Sequence, residues 1–74
     1  MSRITLYTRE GCHLCEVAVA ALEEIGEGFD EIDITGDAEL EMEYGERIPV
    51  IMLDGKEHGY WRVEKERLLR DLAK

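Results

Sequence analysis

The sequence predicts an α/β fold whose elements follow the order βαβ, short helix, ββα. Apolar and polar residues alternate over Ile4–Thr8, a helical spacing begins at Cys12, and alternation returns over Phe29–Ile34. A strand, a helix and a strand in this order imply two parallel strands joined by a right-handed crossover. Further along, Asp54-Gly55 is a hairpin signal, so the last two strands are expected to be antiparallel.

The first helix is expected to begin at Cys12 and to end at Gly26, because glycine is common just after the last helical residue. Apolar residues at helical spacing give it one face toward the core. Val19 and Ala20 make the other face apolar as well. The pattern therefore predicts a helix that is well buried.

The second half begins with a short acidic helix over Ala38–Tyr44, with Asp37 as its N-cap and Gly45 at its end. The unbroken apolar run Val50–Leu53 predicts a strand buried on both faces. Lys56–Trp61 is the predicted return strand of the hairpin.

A closing helix is predicted over Val63–Ala73, with Leu69, Leu72 and Ala73 on its apolar side and charged residues on the other. The chain contains no internal repeat, linker or low-complexity segment. We therefore expect residues 1–74 to form a single domain.

Length and composition exclude several classes of protein. A chain of 74 residues and 8.5 kDa is too short for a Rossmann dinucleotide domain, a TIM barrel or a P-loop fold. A hydrophobic fraction of 45% is enough for a core, which argues against disorder. The net charge of −9 disfavours binding to nucleic acid or to membrane surfaces.

The charge is unevenly distributed along the chain. Thirteen acidic residues and no lysine or arginine lie between Glu10 and Glu46. This interval is either a solvated acidic face that aids solubility or a docking surface for basic partner proteins.

The start of the chain, Met1-Ser2-Arg3, leads directly into the first strand without an apolar leader, and no stretch is long enough to span a membrane. We therefore expect a cytoplasmic protein. In that reducing compartment two cysteines are not expected to form a structural disulfide.

Both cysteines belong to one C-x-x-C motif, Cys12 and Cys15, at the junction of the first strand and the first helix. Unpaired N–H groups and the helix dipole at such a junction stabilise a thiolate over a thiol. A spacing of three puts both sulfurs on one side of the helix, so Cys12 is predicted to attack a disulfide and Cys15 to resolve the product. A structural zinc site needs four ligands, and only His13 and His58 remain as nitrogen ligands, so no metal is expected.

Two segments, Tyr7–Cys15 and Arg47–Val50, together with the order of elements over essentially the whole chain, resemble the glutaredoxin-like group of the thioredoxin superfamily, in its small Gly-Cys-His-Leu-Cys type. The resemblance implies a thioredoxin fold, with a four-stranded mixed sheet and flanking helices. It also implies a cis peptide bond before Pro49 that faces the cysteines. Cys12 matches the family's nucleophile and Cys15 its resolving cysteine.

The resemblance further implies a substrate site beside the cysteines. Arg9 matches the basic residue near the glutathione carboxylate, and Ile48 precedes the proline where the backbone pairs with a bound thiol. The predicted substrate-binding residues are Arg9, His13, Arg47, Ile48, Pro49 and Trp61.

Each of these side chains also has a simpler interpretation. His13 either supplies positive charge to the Cys12 thiolate or fills the turn as an exposed histidine. Trp61 is either a platform for a peptide or glutathione, or a packing residue. Arg9 and Arg47 either contact substrate or are solvated cations, and His58 is expected on the surface.

The predicted function is that of a thiol–disulfide oxidoreductase acting on protein or small-molecule disulfides. We expect a monomer without a tightly bound cofactor, and glutathione is a candidate reductant. Two alternatives remain open. One is a carrier that binds an iron–sulfur cluster or glutathione, and the other is a non-catalytic, redox-sensing interaction module with an acidic face.

Overall fold

The computed structural model describes residues 3–73, which form a four-stranded mixed sheet with strand order β2-β1-β3-β4 and three helices. β1 pairs with β2 in parallel and with β3 in antiparallel fashion, and β3 pairs antiparallel with β4. The elements are β1 (Ile4–Thr8), α1 (His13–Ile25), β2 (Phe29–Asp33), α2 (Ala38–Tyr44), β3 (Val50–Leu53), β4 (Lys56–Tyr60) and α3 (Lys65–Leu72). This confirms the predicted fold class and element order. Met1, Ser2 and Lys74, and the expectation about the start of the chain, lie outside the described residues.

Two apolar clusters form the interior. The α1–α3 cluster contains residues from β1, β3 and both of these helices, namely Ile4, Leu6, Ala18, Leu22, Ile51 and Leu68. The α2 cluster contains Cys15, Ile34, Ile48 and Val50, with Tyr7, Cys12, Leu40, Tyr44 and Met52 packed against it. The alternation of β1 explains this division, because successive side chains of a strand point to opposite faces of the sheet.

Helix α1 begins after its N-cap, Cys12, and ends at Gly26, whose φ of 75° is the left-handed conformation that favours glycine. The prediction that α1 is well buried is wrong. Only its stripe facing the sheet is covered, whereas Leu14 and Val17 are 48% and 50% exposed. The apolar residues on the outer face of α1 thus remain at the surface.

The hairpin and the short helix follow the sequence prediction. The Asp37 side chain caps α2 by accepting a hydrogen bond from the Leu40 backbone N–H at 3.1 Å. Asp54 and Gly55 both have positive φ, 52° and 82°, as a tight turn between antiparallel strands requires.

The closing helix differs from its prediction in its start and in its contact stripe. α3 begins at Lys65, and its fully buried residue is Leu68, with Leu72 partly buried one turn later. Leu69, expected in the core, is 49% exposed, because it lies about 100° around the helix axis from Leu68.

His58 was expected on the surface, and this was wrong. Its side chain is 7% exposed, and its Nε2 lies 2.8 Å from Oδ2 of Asp71 in α3. The pair joins β4 to the closing helix. Over residues 3–73, no helix is long and apolar enough to cross a membrane.

Candidate functional site

Cys12 occupies the N-cap position of α1, in an extended backbone conformation at the end of the loop from β1. Its Sγ accepts a hydrogen bond from the Cys15 backbone N–H at 3.3 Å. Its own N–H donates to the Arg9 carbonyl, also at 3.3 Å. The side chain is partly exposed. A backbone N–H of the first turn of α1 is thus directed at a sulfur that solvent can reach, an arrangement that suits thiol chemistry.

Cys15 is 4% exposed and packs in the α2 cluster. Burial raises the pKa of its thiol to about 12, and a hydrogen bond to the Cys12 side chain acts in the same direction. The backbone N–H of Arg9 partly offsets this rise, while the negative charge of Glu31 adds to it. Both cysteines are free thiols. At neutral pH Cys15 is therefore a protonated thiol in contact with its partner sulfur.

The loop before β3 lies against the cysteines. The Ile48–Pro49 peptide bond is cis. Ile48 is 8% exposed and shares the α2 cluster with Cys15, against which Cys12 packs. The structure thus brings Ile48, from the loop before β3, together with Cys12 and Cys15 at the start of α1. Beside them, the Trp61 backbone N–H donates to the Pro49 carbonyl at 2.8 Å.

The two predicted substrate-binding arginines are both engaged within the chain. Arg9 Nη2 lies 3.2 Å from Glu41 Oε1. Arg47 Nη1 donates to both carboxylate oxygens of Glu57, at 2.8 Å and 2.9 Å, and its guanidinium lies 5.7 Å from the Tyr44 ring centroid. Both arginines are therefore already paired with a carboxylate of this protein.

His13 and Trp61 remain at the surface. The His13 side chain is 85% exposed, with Nδ1 3.6 Å from Oε2 of Glu16. Trp61 is 54% exposed, and its indole N–H donates to the Glu46 carbonyl at 3.2 Å. Its ring meets Tyr60 edge-on at 5.0 Å. Their roles in substrate binding stay predictions.

The sequence analysis missed a small cleft on the α1 face of the sheet. It has a volume of about 150 Å³. Its lining residues are Thr8, Arg9, Glu10, Gly11, Cys12, Cys15, Glu16, Val19, Glu31 and Asp33. The Thr8 hydroxyl, on a residue only 4% exposed, donates to Oε2 of Glu31 at 3.1 Å. The alternation of β2 could have predicted Glu31 in this cleft, because Phe29 packs inward and Glu31, two residues later, lies on the same face of the strand.

Metal ligands are not grouped around the cysteines. Among residues 3–73, no three or more histidine, cysteine, aspartate or glutamate side chains are arranged to hold a metal ion. The arrangement of the two thiols beside a cleft instead suits thiol–disulfide chemistry.

Comparison with known proteins places this site in a family. The Glutaredoxin-like domain (DUF836) profile matches residues 3–73. An uncharacterised protein of Mycobacterium tuberculosis is 41% identical over 85 aligned positions, which cover 100% of this chain and 88% of the relative.

Solved structures agree with this assignment. A structural-genomics target protein of X. campestris is 42% identical, with a TM-score of 0.81 over 95% of both chains. Glutaredoxin C1 from Populus tremula x tremuloides, in its holo form, is 14% identical with a TM-score of 0.67, covering 97% of this chain and 75% of its own. At that identity the likeness shows the fold alone, which is the thioredoxin-like α/β fold. With its C-x-x-C at the start of α1 and a family match over residues 3–73, the chain belongs to the glutaredoxin-like domain family.

Proposed function

We propose that this protein is a dithiol thiol–disulfide oxidoreductase, with Cys12 as the nucleophile and Cys15 as the resolving thiol. One observation carries the proposal. The Cys12 sulfur lies at a helix N-cap, accepts the Cys15 backbone N–H at 3.3 Å, and is close enough to the Cys15 thiol to raise its pKa. Family membership and the thioredoxin-like fold support a redox function.

The reaction has two exchanges. The Cys12 thiolate attacks one sulfur of a substrate disulfide, so a mixed disulfide forms and the first substrate thiolate leaves. Cys15 then loses its proton and attacks Cys12 Sγ, which forms the Cys12–Cys15 disulfide and releases the second substrate thiolate. The protein gives up two electrons, and the substrate disulfide becomes two thiols.

The different environments of the two thiols support this division of roles. The partly exposed Cys12 sulfur is reachable by a substrate, while the buried Cys15 sulfur stays protonated and does not compete for it. A spacing of three at the start of a helix places the side chains one turn apart, which suits closure of a disulfide.

The resting dithiol must then be restored by a reductant, for which we propose the thiol of glutathione or a reductase. The substrates we propose are protein or small-molecule disulfides, handled by a monomer without a tightly bound cofactor. The acidic interval from Glu10 to Glu46 favours basic protein partners, because opposite charge speeds encounter. We propose the cytoplasm as the compartment, since its thiol pool keeps both cysteines reduced between turnovers.

A trapping experiment tests the proposal. In Cys15→Ser, the mixed disulfide at Cys12 has no resolving thiol, so mass spectrometry after mixing with a disulfide peptide should show a stable adduct of one substrate half. The matched control, Cys12→Ser, should give little adduct, because its remaining thiol is buried. The wild type should instead release both halves, and its mass should fall by two hydrogen atoms, about 2 Da, as the internal disulfide forms. Equal adduct on both variants, or a wild type that never oxidises internally, would refute the mechanism.

A further inference from the structure

The resolving step presents a protonation problem. Cys15 has a pKa of about 12. Burial, the chief cause of this rise, persists when Cys12 is bound to a substrate, so at neutral pH the Cys15 thiol is still mostly protonated when it must attack. A nearby base that accepts the proton during the attack would remove this limit.

The charged and titratable groups that face the cleft beside Cys15 come from the loop after β1, from α1 and from β2. They are Arg9, Glu10, Cys12, Glu16, Glu31 and Asp33. Glu31 is the one carboxylate of this set whose charge raises the pKa of Cys15. Its position is also fixed, because the buried Thr8 hydroxyl donates to its Oε2 at 3.1 Å.

The other acidic side chains are less suited to this task, and neither Glu10 nor Glu16 is among the charges that raise the pKa of Cys15. Asp33 accepts the Thr35 backbone N–H at 2.8 Å, and its hydrogen bonds with Thr35 hold its pKa below the usual range. Glu16 lies beside His13, at 3.6 Å. Arg9 is a cation paired with Glu41, so it supplies no base.

We propose that Glu31, held in place by Thr8, accepts the Cys15 proton through water in the cleft when the mixed disulfide is resolved. A volume of about 150 Å³ with a largely polar lining is large enough for bridging water. The proposal rests on the proposed function. It adds a proton acceptor on the strand next to β1, at a position that the cysteine motif does not mark.

The resolving step moves one proton, forms one S–S bond and breaks another. The Cys15 S–H bond breaks, and its proton passes through a water molecule to the Glu31 carboxylate. The Cys15 thiolate attacks Cys12 Sγ, the Cys12–substrate S–S bond breaks, and its electron pair leaves with the substrate sulfur. Glu31 is exposed at the edge strand, so it then returns the proton to solvent. Protonation of Glu31 also removes the negative charge that opposes a thiolate at Cys15.

Dipyridyl disulfide separates the two exchanges in one absorbance trace. Attack by Cys12 releases the first pyridinethione, and attack by Cys15 releases the second. Glu31→Gln keeps an amide oxygen that can accept the Thr8 hydrogen bond but cannot take a proton. The matched control is Asp30→Asn, which makes the same charge change one residue away on the opposite face of β2, outside the cleft.

In Glu31→Gln we expect the first phase to stay within about twofold and the second to slow about tenfold or more at neutral pH. In the variant, the rate of the second phase should rise about tenfold per pH unit, because hydroxide replaces the missing base, whereas the wild-type second phase should depend less steeply on pH. Asp30→Asn should match the wild type. Thr8→Val, which releases Glu31, should slow the second phase less than Glu31→Gln does.

The opposite result has a definite meaning. If Glu31 acts only through its charge, neutralising it lowers the pKa of Cys15 and speeds the second phase, so an equal or faster second phase overturns the proposal. Loss of the first phase, or a single release in the wild type, would instead contradict the proposed function. The two failures are therefore distinguishable in the same trace.

Discussion

Reduced protein should lose stability at alkaline pH through Cys15. The pKa of this thiol rises from an ordinary 9.0 to about 12 on folding, chiefly because the side chain is buried. The folded state thus holds the proton more tightly than the unfolded chain. The stability that this thiol contributes is complete below the pKa of the unfolded chain. It falls as the pH rises toward the higher pKa of the folded protein.

The size of the loss follows from the two pKa values. At pH 8 it is close to zero, and at pH 10.5 the ionised unfolded thiol should cost about 2 kcal/mol of unfolding free energy. That is a large share of the roughly 5–15 kcal/mol that holds a typical domain folded. The buried thiol is therefore expected to be a main source of alkaline sensitivity.

Urea unfolding at both pH values, under anaerobic conditions with a phosphine reductant, measures this loss. The control is Cys15→Ala, which has no thiol at this position. Its altered packing shifts the free energy of unfolding equally at both pH values. Tyr44, whose pKa is also raised by burial, is present in both proteins, and its contribution cancels. If wild type and variant lose the same stability within about 0.5 kcal/mol, the argument from Cys15 burial is wrong.

Three further substitutions test the contacts around the site and the closing helix. His58→Ala should cost about 1–3 kcal/mol in urea unfolding, because it removes a buried side chain together with its 2.8 Å contact to the Asp71 carboxylate, and a change below about 0.5 kcal/mol would contradict this role. Asp37→Ala should cost about 1 kcal/mol by removing the cap of α2, whereas Asp37→Asn should restore most of it. Gly45→Ala should destabilise by about 1–3 kcal/mol, because the added Cβ would lie 2.3 Å from the Glu41 carbonyl oxygen and 2.9 Å from Arg9 Nη2, and unchanged thermal unfolding would refute it.

Local signals were enough to predict the elements. The Asp37 cap, the Gly26 stop and the Asp54-Gly55 turn each act through a few neighbouring residues, so the sequence contains what they need. The cysteine pair was also predictable from local sequence, since a spacing of three determines its geometry once the start of the helix is known.

Side-chain partners were predicted less well, because they depend on contacts between distant segments. Arg47 is held by Glu57 across the hairpin, and His58 is buried only because α3 returns over β4. Glu31 reaches the cleft because β2 pairs in register with β1, which places it beside Leu6. No pattern within a single segment of the sequence predicts any of these contacts.

Cys15 connects the two halves of the interior. It belongs to α1, yet it packs in the α2 cluster, while Ala18 and Leu22 of the same helix pack in the α1–α3 cluster. Oxidation of the thiol pair would therefore alter the first turn of α1 where it meets the α2 cluster. Amide hydrogen exchange near Val50 would then register the redox state of the protein, while the amides deeper along the helix keep their protection.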